Sequence, residues 1–221
     1  MQLLTLIKKE FHQEIRAKES VISMTVFSVA VILLFSFAFN AAPAEFNKFL
    51  PGLIWMTFLF VSVIGLLRSF SAEKEMDAYS ALLSSPIDRG SIFLGKLIAF
   101  WIFLLLAQAL TIPLFSLFLN FKILGEWYLF ILLMMLTDWA IAGVGIMISG
   151  MGLRTRMGEV LVPVLLFPLL SPVIIAATKS TSAIAIGLPL SKFNFWIMIL
   201  VTFSVVFSLV GYLTFGAISE E

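Results

Sequence analysis

Trp127–Ser149 reads WYLFILLMMLTDWAIAGVGIMIS, and its length and composition decide the fold. Asp138 is its only acidic or basic side chain. At about 1.5 Å of rise per residue such a run reaches about 35 Å as a helix, enough to cross a hydrocarbon core of roughly 30 Å. Lipid offers no partners for backbone polar groups, so the segment must pair its own N–H and C=O groups and is expected to be helical. The alternating strands of roughly ten residues that mark an outer-membrane barrel are absent.

Working outward from this stretch, five further segments have the same character: Val21–Phe39, Leu50–Leu67, Leu97–Leu119, Val160–Thr178 and Phe195–Ala217. The whole chain of 221 residues is 61% hydrophobic and 12% charged, more apolar surface than a soluble domain of this size can hide. The fold class that follows is an all-α integral membrane protein with six transmembrane helices. These form one domain over residues 1–221, with no linker, repeat or low-complexity tract.

Residues 1–19 place Leu3, Leu4, Ile7, Phe11 and Ile15 on one helical face, with Lys8, Lys9, His12, Gln13 and Arg16 around the rest. That pattern predicts an amphipathic helix lying in the interface. Ala42-Pro43-Ala44 resembles a signal-peptide cleavage site, but the charged region and the apolar run before it are too long, so an uncleaved anchor is expected. Lys and Arg then set the orientation. Ten of them (Lys8, Lys9, Arg16, Lys18, Arg68, Lys74, Arg89, Lys96, Arg154 and Arg156) fall on one side, against four (Lys48, Lys122, Lys179 and Lys192) on the other. Both termini are therefore expected in the cytoplasm, together with the connector between the second and third spans.

That connector, Arg68–Lys96, reads RSFSAEKEMDAYSALLSSPIDRGSIFLGK and is the longest polar interruption in the chain. Ala72, Met76, Tyr79 and Leu83, with Leu82 alongside, follow a helical period that predicts one apolar face. Ser71 is the expected N-cap of this helix, Glu73 and Glu75 complement the dipole in its first turn, and Pro86 ends it. Asp88 and Ser91 offer caps for the helix that follows. Such a helix either rests on lipid headgroups or fits a groove on a cytoplasmic partner. Gly90–Lys96 imitates a phosphate-binding loop, but Leu97 stands where Ser or Thr must meet magnesium and no strand precedes it. This chain is not expected to bind ATP.

Pro51-Gly52-Leu53-Ile54-Trp55, Arg68-Ser69-Phe70 with the acidic cluster after it, Leu82-Leu83, Pro86, Gly95-Lys96, and Pro168 with Pro172 carry a resemblance. In order and spacing they resemble the CcmB family, the permease subunit of the haem-exporter ABC transporter of cytochrome c maturation, within the ABC-2 type permeases. The likeness covers essentially the whole chain. It implies that the connector is the coupling helix for a separate ATPase, with Glu73, Glu75, Asp77, Tyr79, Leu82, Leu83 and Pro86 at the contact. It also implies a bacterial inner-membrane location and a CcmA-like ATPase partner that carries the ATP and Mg. CcmC-like and CcmD-like membrane subunits, a CcmE-like haem chaperone and a homodimer of this subunit fall within the same expectation. Haem is a candidate cargo, either exported or delivered by releasing the haem-loaded chaperone. An ABC-2 exporter for a lipid, glycan or drug is the alternative, because the coupling elements are shared across the superfamily and the cargo determinants are not legible.

Within the spans, Asp138 and Gln108 lie at the centres of sequential antiparallel segments and are expected to share a hydrogen bond away from lipid. This structural reading is preferred to a proton or substrate site. Pro113 in the third span, and Pro163, Pro168 and Pro172 in the fifth, are candidates to bend or interrupt their helices. Gly143, Gly145, Ser149 and Gly150, and Ser204 with Ser208, would let neighbouring helices approach closely. The chain has no cysteine and one histidine, His12, outside the spans, which removes disulfides, thiolate metal sites and thiol catalysis. The span methionines Met24, Met56, Met134, Met135, Met147 and Met198 are read as packing residues, so no haem ligation and no other bound cofactor or metal is expected. One intramembrane Asp without a facing second one does not make an aspartyl protease, and no enzymatic activity is expected. The net charge of +1 argues neither for nor against nucleic acid, and no such partner is expected.

Overall fold

The computed structural model describes residues 19–39, 48–75, 88–152 and 158–220, and every regular element among them is helical. The helices are α1 (Glu19–Ala38), α2 (Leu50–Glu75), α3 (Arg89–Leu119), α4 (Trp127–Gly152), α5 (Gly158–Ala185) and α6 (Asn194–Glu220), with a 3₁₀ turn at Leu190–Lys192. All six are long and apolar enough to cross a membrane. The amphipathic helix expected over residues 1–19 lies outside the described residues, apart from the backbone of Glu19.

Helix α4 is the axis of the bundle and packs against α2, α3, α5 and α6, while α1 lies outside against α2 and α3. In their most apolar windows α2 and α4 are 67% buried and α1 and α6 only 17%, which separates inner helices from outer ones. Small residues explain the inner contacts. A Cβ on Gly145 would stand 2.6 Å from Cδ1 of Leu66, so any larger residue must displace the Leu66 side chain that packs α2 on α4 here. Gly143 lies at ordinary contact distance from Phe207 of α6, and a Cβ on Gly150 would stand 3.0 Å from Phe215.

The Asp88 cap read from the sequence is in place: its side chain accepts the Ser91 N–H at 3.0 Å, so α3 starts at Arg89, ahead of the apolar run from Leu97. Other boundaries differ from the sequence expectation, as α5 runs to Ala185, past Thr178, and α2 runs past Leu67. Ser71 is not an N-cap, since α2 runs unbroken through it to Glu75. Hydropathy marks where lipid ends, whereas a helix ends where its backbone bonds stop, and no Pro or Gly interrupts residues 66–75. Glu73 and Glu75 therefore sit in the last turn of α2, not in the first turn of a separate helix.

The prolines lie inside continuous helices, Pro113 in α3 and Pro163, Pro168 and Pro172 in α5. Pro172 has no N–H to offer the Pro168 carbonyl one turn back, and the Ser171 hydroxyl donates to that carbonyl at 2.9 Å instead. Helix α3 ends at Asn120, whose φ of 53° places it in the left-handed region. Gly187, with φ of 76°, turns the chain after α5.

Candidate functional site

Two places merit attention: the end of the bundle where the connector joins it, and the polar interior of α3, α4 and α6. Of the coupling residues, Asp77, Tyr79, Leu82, Leu83 and Pro86 lie outside the described residues. Glu73 and Glu75 end α2, and Asp88 opens α3, so the connector is anchored by a helix terminus on each side. On the far side of it, Lys96 is only 4% exposed, inside the bundle.

The interior pair comes together. Gln108 Nε2 donates to Asp138 Oδ1 at 2.7 Å, with the two residues 1% and 0% exposed. Neither side chain faces outward, as the cost of a carboxyl in hydrocarbon demands. Gln108 Oε1 and Asp138 Oδ2 remain buried with no hydrogen-bond partner among the described residues. Both are acceptors, and a hydrogen carried on the carboxyl would supply the donor that both lack. The flanking hydroxyls are already committed, Thr137 to the Leu133 carbonyl and Thr111 to that of Ala107.

Around this pair the structure shows polar links that the sequence reading did not single out. Trp101 Nε1 donates to the Met135 carbonyl at 2.9 Å, and Trp139 Nε1 to Ser208 Oγ at 2.8 Å. The two indoles meet edge to face at 5.3 Å. Ser204 Oγ reaches the Leu136 carbonyl at 3.1 Å, so Ser204 and Ser208 tie α6 to α4 by hydrogen bonds as well as by their small size. A second tie joins α2 to α5, where Trp55 Nε1 donates to Thr181 Oγ1 at 2.8 Å. The available signal was the indole N–H itself, a donor that must find a partner wherever Trp enters a span.

A family model described as CcmB protein matches residues 1–219. The chain belongs to the CcmB family. Among curated relatives, Heme exporter protein B of Pseudomonas aeruginosa is 27% identical over 192 residues, covering 87% of this chain and 86% of the relative. Heme exporter protein B of Haemophilus influenzae is 24% identical over 189 residues, 86% of this chain and 85% of the relative. That of Bradyrhizobium diazoefficiens is 24% identical over 185 residues, 84% and 83% respectively.

Among the described residues that suggested the CcmB family, those that open α2 have identifiable structural duties here. Pro51 occupies the second position of α2, where a missing N–H costs nothing. Trp55 is fully buried and holds α5 through Thr181, and Gly52 lies beside the Thr178 methyl, 3.8 Å from where its Cβ would stand. In this CcmB family member, the stretch Pro51–Trp55 is thus the seam between α2 and α5. The protein is a multi-pass membrane protein.

Proposed function

We propose that this chain is the permease subunit of an ATP-driven haem exporter serving cytochrome c maturation, converting work done on a separate ATPase into rearrangement of its helices. The family match over residues 1–219, with relatives named Heme exporter protein B, carries this reading. The chain itself is non-catalytic. It sits in the bacterial inner membrane with both termini in the cytoplasm, as the ten-to-four distribution of Lys and Arg supports. Its partners are a CcmA-like ATPase, CcmC-like and CcmD-like membrane subunits and a CcmE-like chaperone that receives haem.

The mechanical part of the reading follows from helix continuity. Helix α2 is unbroken from Leu50 to Glu75, so force applied at its acidic end travels along a rod of roughly 39 Å at the usual rise per residue. Helix α3 leaves the other end of the connector with a closed cap. ATP-driven closure of the ATPase subunits would press on residues 76–87 and displace both rods together. Haem is then cargo of the assembled complex.

Purification in mild detergent tests the assignment. An ATPase together with CcmC-like partners is the expected company; an ATPase alone would point to an exporter of another cargo. Leu83→Glu is expected to abolish ATPase association while leaving membrane insertion intact. Unchanged association would remove the connector from the coupling role.

A further inference from the structure

Helix α6 is an outer helix, yet at one end it is keyed tightly into the start of α3. Phe93 of α3 lies over Gly211 of α6, where an added Cβ would stand 2.1 Å from Phe93 Cζ. Tyr212 of α6 in turn lies over Gly90 of α3, where an added Cβ would stand 2.4 Å from Tyr212 Cε2. Each helix thus seats an aromatic ring on the other's glycine. Phe93 also packs against Phe215 with ring centroids 5.6 Å apart, and both rings are fully buried. The Tyr212 hydroxyl lies 3.4 Å from Oδ2 of Asp88, the same carboxylate that caps α3. One turn further on, Gly216 would place a Cβ 3.8 Å from Cβ of Arg89.

Two knobs set in opposite directions resist relative motion better than one. Sliding α6 along α3 by a single residue lifts both rings from their glycines at once. A gap of even an ångström forfeits much of the dispersion energy of such a contact. Packed interfaces of this sort hold one arrangement or jump to another, with little in between.

We infer that the first turns of α3 and the Gly211–Gly216 segment of α6 move as one body, so that displacement of the connector reaches α6 directly. Gly90, Phe93, Gly211 and Tyr212 are the positioning residues of this coupling, which rests on the reading of the connector as the ATPase receiver. Helix α6 carries the displacement on to α4 through Ser204 and Ser208, bonded to the Leu136 carbonyl and the Trp139 indole beside Asp138.

The natural absence of cysteine makes a direct test available. The Arg89→Cys/Gly216→Cys double variant has a Cβ separation of 3.8 Å, within the disulfide range of roughly 3.5–4.5 Å. In the purified complex, oxidation is expected to cross-link the pair, with ATP hydrolysis and release of haem-loaded chaperone equal in the oxidised and reduced samples. Failure to cross-link, or loss of activity on oxidation that reduction restores, would show that the helices part during the cycle and overturn the inference. A second set of variants guards against poor folding of the first. Gly211→Ala and Phe93→Ala, which displace or remove the ring on Gly211, are each expected to keep ATP hydrolysis but lose chaperone release. Full release in both would also overturn the inference. Failure of the receiver reading itself appears separately, as retained ATPase association in Leu83→Glu.

Discussion

Replacing Gln108 by Leu should expose how the bundle tolerates a carboxyl at its centre. The substitution removes the 2.7 Å bond from Nε2 to Asp138 Oδ1 and leaves the carboxyl, 0% exposed, with no partner among the described residues. Interhelical hydrogen bonds in membranes are worth about 0.6 kcal/mol on average and up to about 1.7. Stranding a buried polar group adds a cost, so the expected loss is roughly 1–3 kcal/mol. Asp138→Leu should cost a similar amount by stranding Gln108. The double variant should cost less than either single one, because removing both partners leaves nothing unsatisfied. Asp138→Asn should lie within about 0.5 kcal/mol of the natural protein, since the new amide can accept from Nε2 and donate to Oε1. Denaturation in detergent micelles, followed by circular dichroism, reads all four values. Additive penalties for the two leucine variants would refute the pairing. Loss of function in Asp138→Asn with normal assembly would refute its purely structural role and place the acid in the mechanism.

Other contacts make independent predictions. Trp139→Phe and Ser208→Ala should each destabilise by about 0.6–1.7 kcal/mol, and together by less than the sum of the two, because both break the Trp139–Ser208 bond. Ser171→Ala should cost about 0.5–1.5 kcal/mol in the natural chain and almost nothing when Pro172→Ala has restored the backbone donor to the Pro168 carbonyl. Gly145→Ala should destabilise by roughly 1–3 kcal/mol through collision with Leu66, and Leu66→Ala in the same chain should recover part of that loss; no recovery would place the strain elsewhere.

The amino-acid sequence by itself determined that this is a six-helix membrane protein, because hydrocarbon allows an apolar run of spanning length only one self-satisfied backbone form. It also paired Gln108 with Asp138, since two polar residues at equal depth on sequential helices have few other ways to avoid lipid. The lateral arrangement was not legible, because hydropathy is nearly uniform around each helix and does not say which face meets which neighbour. Tertiary packing therefore decided that α4 is the axis and that Trp55 finds Thr181, 126 residues away. The far end of α2 was likewise not legible, because its backbone stays helical through Glu75, past the edge of the apolar run, whereas the Asp88 cap that opens α3 was. The keying of Phe93 on Gly211 and Tyr212 on Gly90 belongs to the same class. Glycine in a membrane helix announces that something comes close, and only the fold says what.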